Sequence, residues 1–290
     1  MKHILITGAN SYVGTSVESH LNRWPEDYQV DTLDMIGDGW REKRFSSYDA
    51  VLHVAGIVHQ PQSKDDPAQA ELYDRVNHRL AVETAQKAKA EGVKQFLFMS
   101  SASVYGLTAS VGKEIMITAD TPLVPVDNYG ISKKNAEESL KLLADDNFKL
   151  AILRPPMIYG KGCKGNYVTL AKLAKKLPAF PWVNNRRSML YIENLAEFIR
   201  LLIDDVAEGV FCPQNETYVN TSDLVNLIAH ANGKGILLVK GFGWMLKGMS
   251  RVTSLVDKAF GSLCYDYELS RYPRNYWLKS LSESVVETEQ

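Results

Sequence analysis

A tyrosine and a lysine stand four residues apart in a segment whose composition favours a helix. Tyr129 and Lys133 occupy positions i and i+4, and residues 134–143 after them are mostly good helix formers. On a helix these two side chains lie on the same face, one turn apart. A positive charge near a phenol favours the phenolate, whose ordinary pKa is about 10. The pair could therefore exchange a proton with a substrate hydroxyl, although Tyr-x-x-x-Lys also occurs on helices that have no such role.

A short apolar strand at the start of the chain runs directly into a glycine-rich turn. The turn spans Gly8 to Gly14, and Val13, Val17 and Leu21 after it have the spacing of the buried face of a helix. Strand, turn and helix together can form the pyrophosphate site of a dinucleotide, because the backbone approaches the ligand closely and the helix N-terminus offers N–H groups. A turn that contains glycines by chance is the alternative interpretation.

An acidic residue follows the second predicted strand. That strand covers residues 29–33, and Asp34 comes directly after it. A carboxylate at this place can accept hydrogen bonds from the adenosine ribose and would repel a 2′-phosphate. Asp34 therefore favours NAD over NADP, unless it is simply a solvated loop carboxylate.

The first half of the chain alternates predicted strands and helices. The strands are expected to end near Thr7, Leu33, Ala55, Met99 and Leu153. The helices are expected near residues 12–24, 68–91 and 128–145. This alternation predicts an α/β fold with a Rossmann-like, doubly wound parallel sheet. Ligands of such sheets bind at the carboxyl ends of the strands, where the glycine turn and Ser101 are expected.

Changes in the rhythm of the elements predict two domains. Residues 1–160 are expected to form the dinucleotide-binding domain, to which residues 187–212 return. Residues 161–186 and 213–290 are expected to form a smaller C-terminal substrate-binding domain.

Charge and composition limit the classes of partner. The chain has 33 Lys and Arg residues against 34 Asp and Glu residues, so no bulk field favours nucleic acid. No apolar run reaches the ~18 residues of a membrane span. The 3 cysteines are far apart and lack metal-ligand spacing. A cytoplasmic protein without a metal site, a nucleic-acid partner or an integral membrane segment is expected.

Several motifs follow one another along the chain and together carry a resemblance. They are Thr7–Gly14, Asp49–Gly56, Val76–Asn77, Phe98–Gly106, Tyr129–Lys133, Leu153–Gly160 and Arg187–Ile192. In their order and spacing the chain resembles the extended short-chain dehydrogenase/reductase family, in its nucleotide-sugar epimerase and reductase branch. Ser11 replaces the middle glycine of the family's first turn, and a serine fits there if its backbone is not left-handed. Ser188 stands where the family often has an acidic residue.

The resemblance implies a catalytic set of Ser101, Tyr129 and Lys133. Tyr129 would exchange the hydroxyl proton and Ser101 would hold the same oxygen. Lys133 would bind the nicotinamide ribose and lower the pKa of Tyr129. Ser103 stays open as an alternative to Ser101, because alternate residues of a strand point to the same side.

The same resemblance implies binding residues for cofactor and substrate. The positions expected to hold NAD are Gly8, Asn10, Ser11, Tyr12, Val13, Gly14, Asp34, Ala55, Gly56, Asn77, Lys133 and Pro156. Asn166 and Arg187 are expected to hold the diphosphate of a nucleotide sugar, since the arginine fork suits phosphate. Homodimers through paired helices are usual in the family, and residues 68–91 and 128–143 could serve.

A NAD-dependent UDP-hexose 4-epimerase that oxidises C4 transiently is the expected function. A 4-ketoreductase of 4-keto-6-deoxy UDP-N-acetyl sugars is the main alternative, and a regulatory protein that binds NAD(P) without turnover is another. Dehydration is rejected because Ala102 and Ser103 replace the Asp and Glu of the dehydratases. A sterol-type dehydrogenase would need an apolar loop where this chain has Lys161, Lys164 and two arginines.

Overall fold

The computed structural model describes residues 1–58, 67–242, 246, 248 and 254–290. Numbered along the chain, its strands are β1 (Lys2–Thr7), β2 (Tyr28–Leu33), β3 (Ala50–His53), β4 (Gln95–Met99), β5 (Glu114–Ile117), β6 (Lys149–Leu153), β7 (Met157–Tyr159), β8 (Ala179–Pro181), β9 (Met189–Tyr191), β10 (Gly209–Phe211), β11 (Leu237–Val239) and β12 (Ser262–Tyr265). Its α-helices are α1 (Tyr12–Leu21), α2 (Pro67–Tyr73), α3 (Leu80–Ala90), α4 (Asn128–Lys141), α5 (Asn166–Lys176), α6 (Ile192–Asp204), α7 (Thr221–Ala231), α8 (Ser254–Phe260), α9 (Tyr267–Ser270) and α10 (Leu281–Glu289).

A parallel sheet of six strands is the centre of the first of two compact units. Its spatial order is β10-β6-β4-β3-β1-β2, and every neighbouring pair is parallel. The chain passes from β1 outward to β2 and then back to β3, so the direction of winding reverses between β1 and β3. The carboxyl ends of these strands share one edge, which is where such sheets bind ligands. The predicted doubly wound parallel sheet is confirmed.

Continuous apolar runs explain why the central strands form there. The three residues Ile4, Leu5 and Ile6 of β1 are fully buried, as are Phe96, Leu97 and Phe98 of β4. Strands of a parallel sheet are covered on both faces, so their sequences need apolar residues at successive positions rather than alternate ones. β3 ends at His53, two residues before the expected end at Ala55.

The helix expected over residues 68–91 consists of three pieces. α2 and α3 flank a π-helical segment, Asp74–Arg79. A π turn hydrogen-bonds from i to i+5 and bulges the helix locally, often at functional sites. The segment carries Asn77, which is fully buried.

The described residues of the second unit contain three short parallel strand pairs. It comprises Leu107–Thr121, Pro156–Leu195 and Pro213–Gln290, while Met1–Gly106, Pro122–Pro155 and Ala196–Cys212 form the first unit. Residues 107–121 belong to the second unit and not, as expected, to the dinucleotide-binding domain, because β5 pairs with β12. Residues 156–160 and 187–195 also differ, because β7 pairs with β9. The third pair joins β8 and β11.

Polar contacts hold the C-terminal helix α10 within the second unit. The Tyr159 hydroxyl lies 2.6 Å from Ser284 Oγ, and the Tyr191 hydroxyl donates to Glu287 at 2.8 Å. Ser280 and Glu283 form a capping box at the helix start, which satisfies two backbone N–H groups. In the part of the chain that the structure describes, no helix combines the length and the apolarity needed to cross a membrane.

Candidate active site

Tyr129 lies in the first turn of α4, close to the loop that follows β4. Asp127 caps this helix and accepts a hydrogen bond from the Gly130 N–H at 2.7 Å. A Cβ added to Gly130 would lie 2.5 Å from the carbonyl oxygen of Ser103, so only glycine permits this approach. The Ser101 hydroxyl lies near the Tyr129 phenol and acts to lower its pKa. The structure thus brings Ser101 and Tyr129 together, as expected for the catalytic set.

The pKa of Tyr129 moves in the opposite direction from the expectation. Burial raises this pKa to about 12, and the negative charge of Asp127 adds to the rise. The nearby Ser101 hydroxyl lowers the pKa but does not outweigh burial. The predicted net lowering by Lys133 is therefore wrong for the protein alone, because a half-buried phenol loses the water that would stabilise its anion.

Lys133 is almost fully buried beneath the edge of the sheet. Its side chain is 4% exposed, its ammonium donates to the Met99 carbonyl at 2.8 Å, and it lies 4.6 Å from the centre of the Phe98 ring. Burial lowers the pKa of Lys133 to about 7, against the opposing effect of Glu137. An ammonium has three N–H groups. The one carbonyl acceptor found among the described residues leaves N–H groups for ribose hydroxyls.

A buried ion pair, which the sequence reasoning missed, lies one turn beyond Lys133. Glu137 is fully buried and receives hydrogen bonds from Arg154 Nη2 and Ser100 Oγ, both at 2.5 Å. Arg154 also donates to the Tyr105 hydroxyl at 3.0 Å. The pair ties α4 to the ends of β4 and β6. Its only sequence signal was the position of Glu137, four residues after Lys133.

The glycine turn after β1 has the backbone that a dinucleotide requires. Gly8 has φ +96°, and a Cβ there would lie 2.7 Å from the Ala55 N atom. The left-handed residue is Asn10, at φ +63°, whereas Ser11 is extended with φ −73° and ψ 148°. The prediction that a serine fits at position 11 if its backbone is not left-handed is therefore confirmed. Its hydroxyl accepts the Gly14 N–H at 3.1 Å and caps α1, which Tyr12 and Val13 open.

The loop after β3 is joined to α4 through Asn77. The Asn77 side chain accepts the Ile57 N–H at 2.8 Å and donates to the Ile57 carbonyl at 3.0 Å and to Ser132 Oγ at 3.1 Å. A Cβ on Gly56 would lie 2.9 Å from Asn77 Oδ1 and 3.5 Å from the Lys133 ammonium. Gly56, Asn77 and Lys133 are therefore neighbours, as expected for one cofactor site.

Asp34 stands exposed at the carboxyl end of β2, with one carboxylate oxygen accepting the Ile36 N–H at 2.9 Å. The first unit holds four groups that could bind a dinucleotide: the glycine turn, the capped start of α1, the exposed Asp34 carboxylate and the buried Lys133 ammonium. These groups suit the pyrophosphate, adenosine ribose and nicotinamide ribose of NAD. Pro156, also expected at the cofactor, belongs to the second unit.

Arg187 and Asn166 lie in the second unit. Arg187 Nη1 donates to the Gly261 carbonyl at 2.8 Å, and burial lowers the pKa of its guanidinium. Asn166 opens α5, and Gly165 before it, at φ +90°, provides no side-chain cap. A helix N-terminus without a cap offers N–H groups to an anion.

Ser188 does not leave a gap where the family often has an acidic residue. Its hydroxyl donates to Gln214 Oε1 at 2.5 Å and accepts the Tyr265 N–H at 2.7 Å. Among the described residues, no three His, Cys, Asp or Glu side chains are placed to hold a metal ion.

Comparison with known proteins identifies relatives over most of the chain. The NAD dependent epimerase/dehydratase family model matches residues 4–218. The chain is 31% identical to UDP-glucose 4-epimerase of Vibrio cholerae, over 91% of this chain and 87% of the relative. It is 26% identical to GDP-6-deoxy-D-mannose reductase of Pseudomonas aeruginosa, over 79% of each chain.

Solved structures confirm the fold. UDP-glucuronic acid 4-epimerase of Bacillus cereus in complex with NAD aligns with a TM-score of 0.73 at 16% identity, covering 99% of this chain and 97% of that one. The predictions of the family, the Rossmann-like fold, an enzyme and NAD as the family's cofactor are confirmed. The chain belongs to the NAD dependent epimerase/dehydratase family.

Proposed function

We propose that the protein is a NAD-dependent 4-epimerase of a UDP-linked hexose. The observation that carries this proposal is the closeness of the Ser101 hydroxyl to the Tyr129 phenol, with the buried Lys133 one helical turn away. A hydroxyl pair beside an ammonium is suited to removing and returning the proton of a secondary alcohol. The 31% identical relative that epimerises C4 of UDP-glucose supports the same reaction.

The chain's own residues supply the proton chemistry. NAD, when bound, supplies the acceptor and donor of hydride. Tyr129 takes the proton of the C4 hydroxyl as the ketone forms and gives it back as the ketone is reduced. Ser101 donates to the same oxygen or to the phenolate. Lys133 as the ammonium favours the phenolate, so ionisation of the two groups is coupled and each moves the pKa of the other.

Arg187 and Asn166 are proposed to bind the diphosphate of the substrate. Arg187 is a half-buried cation whose guanidinium donates to the Gly261 carbonyl, so a diphosphate would supply it with an opposite charge. The uncapped start of α5, with Asn166, would offer N–H groups to the same anion. The UDP-sugar relative supports uridine as the base.

Particular residues of the chain favour epimerisation over the other reactions of this family. No carboxylate follows Ser101, because Ala102 and Ser103 occupy those positions, so elimination of a sugar hydroxyl lacks its acid. The exposed Asp34 favours NAD, which epimerases retain through turnover. A 4-ketoreductase of 4-keto-6-deoxy UDP-N-acetyl sugars is the second candidate, supported by the reductase relative. The Ser101 hydroxyl beside the Tyr129 phenol argues against a regulatory protein without turnover.

Incubation of the purified protein with UDP-glucose and with UDP-N-acetylglucosamine, with no added cofactor, tests the proposal. Chromatography is expected to show the C4 epimer of one of them. Absence of both epimers, with stoichiometric consumption of NADH or NADPH on a 4-keto-6-deoxy sugar nucleotide, would establish the reductase instead.

A homodimer through α2 and α4 is proposed as the assembly. These helices leave a groove between them that includes Pro67, Ala70, Asn135 and Ile131, whose side chain is 42% exposed. A second copy of the same helices would cover this apolar residue. Light scattering is expected to give a dimer for the wild type and a monomer for Ile131→Glu, and a monomeric wild type would refute the assignment.

A further inference from the structure

A second serine hydroxyl lies beside Ser101, and its role was not settled by the sequence. Ser101 Oγ donates to Ser103 Oγ at 3.2 Å, and the Ser103 N–H donates to Ser101 Oγ at 3.1 Å. We propose that Ser103 is a positioning residue, whose N–H and hydroxyl hold Ser101 so that the Ser101 O–H can turn to the oxygen of Tyr129 and of the substrate. This inference rests on the proposed catalytic role of Ser101 and Tyr129.

The position of Ser103 relative to Tyr129 is set by backbone contacts. Its carbonyl faces Gly130, where a Cβ would be only 2.5 Å away, and it also accepts the Gly106 N–H at 3.1 Å. Gly106 is left-handed at φ +66°, and a Cβ there would collide with the Val124 carbonyl. Because Gly106 and Gly130 have no Cβ, the turn Ala102–Tyr105 can pack closely against the start of α4. Ser103 cannot move away from Ser101 unless this contact opens.

The number of protons on Ser101, Ser103 and Tyr129 determines which hydroxyl donates to which. A serine hydroxyl has one proton to donate and two lone pairs that accept. When Tyr129 is a phenolate it can only accept, so Ser101 must donate its proton to it. In the structure the Ser101 O–H donates to Ser103 Oγ. Once this proton has turned to the phenolate, the Ser101 lone pairs are filled by the N–H and the O–H of Ser103. Each bond polarises the next, so donation from Ser103 strengthens donation from Ser101 to the phenolate.

Substitution of Ser103 tests the role separately from the fold. Ser103→Ala keeps the backbone donor and removes the hydroxyl, and kcat is expected to fall about 3- to 10-fold with an unchanged KM, as for loss of one neutral hydrogen bond. Ser103→Thr keeps a hydroxyl and should restore kcat. In a double variant, Ser101→Ala with Ser103→Ala should be no slower than Ser101→Ala alone, because Ser103 acts only through Ser101.

A readout independent of turnover is the ionisation of Tyr129 in the protein saturated with NAD⁺. Tyrosinate absorbance is measured against pH for each protein and for the same protein carrying Tyr129→Phe. The difference between the two curves gives the titration midpoint of Tyr129. Ser103→Ala should move the Tyr129 midpoint to higher pH, since the phenolate loses support. Asp127 and Tyr73 also act on this phenol and are unchanged in both proteins.

The outcomes separate this inference from the proposed function. If Ser101→Ala keeps wild-type turnover, the proposed catalytic set fails. If Ser101→Ala is slow while Ser103→Ala has wild-type kcat and an unmoved Tyr129 midpoint, Ser103 has no positioning role. Losses that multiply in the double variant would also overturn the inference, since they would mean that Ser103 contacts the substrate directly.

Discussion

Lys133→Met is expected to stabilise the protein while removing its activity. Burial lowers the pKa of Lys133 from 10.5 to about 7, which means that folding at low pH must bury a charge. The difference of about 3.5 pH units corresponds to about 5 kcal/mol at most, at 1.36 kcal/mol per unit. The variant also leaves the Met99 carbonyl without its donor, at a cost of about 2 kcal/mol. A net gain of up to about 3 kcal/mol in the free energy of unfolding follows below pH 7.

The gain should depend on pH in a defined direction. Below about pH 7 the lysine is charged in both folded and unfolded protein, so the full cost of burying it is present. As pH rises above 7 the folded protein loses this proton while the unfolded chain keeps it, so wild-type stability rises relative to the variant. At about pH 9 the remaining cost is about 2 kcal/mol, which the unpaired carbonyl offsets. Wild type and variant should then be equally stable.

Urea denaturation at about pH 6 and about pH 9 measures both values. Lys134→Met is the matched control, because Lys134 is partly exposed and lies 3.8 Å from Glu138. Surface pairs of this kind contribute about 0–1 kcal/mol, so the control should change little at either pH. A Lys133→Met protein that is less stable at about pH 6, or whose difference from wild type does not change with pH, would refute the reasoning.

Three further substitutions, one of them with a matched control, have expected outcomes. Tyr129→Phe should lower turnover about 10²- to 10⁴-fold while NAD binding, measured by fluorescence titration, stays unchanged; near wild-type turnover would mean that another group carries the proton. Arg187→Ala should weaken UDP binding in calorimetry about 10- to 150-fold through loss of a charge-assisted bond. Arg186→Ala removes an exposed ion pair with Glu114 and should leave UDP binding unchanged. Val206→Gly should raise the free energy of unfolding by about 1 kcal/mol, because Val206 is a β-branched residue at φ +47° with an exposed side chain. A Val206→Gly protein that is less stable than wild type in urea denaturation would show that the left-handed valine is not strained.

Local patterns were sufficient to predict the cofactor half of the fold. The apolar run of β1, the turn at Gly8 and the spacing of Val17 and Leu21 depend on neighbours in sequence, so the sequence predicted the strand, turn and helix in order. The ends of β2, β4 and β6 were likewise expected where the structure has them. The backbone of Ser11 could be stated as a condition because left-handed angles are costly for residues with a side chain.

Features that depend on distant residues could not be read in the same way. β5 is a strand because it pairs with β12, about 150 residues further along the chain, and its four residues carry little signal alone. The Glu137–Arg154 pair joins a helix to a strand end, and neither residue by itself predicts the other. The direction of the Tyr129 pKa depends on how deeply α4 packs, which the Tyr129 and Lys133 spacing does not encode.

The π-helical segment limits how the chain can vary in length. A π turn contains one residue more than the α turn it replaces. Deletion of a single residue within Asp74–Arg79 would let one α-helix run from α2 into α3, with no other change in composition. Because each α-helical residue turns the axis by about 100°, everything on one side of the deletion would rotate by that angle. Asn77 would then face away from Ile57 and Ser132, so a relative without the extra residue would have to supply this amide from another helical position.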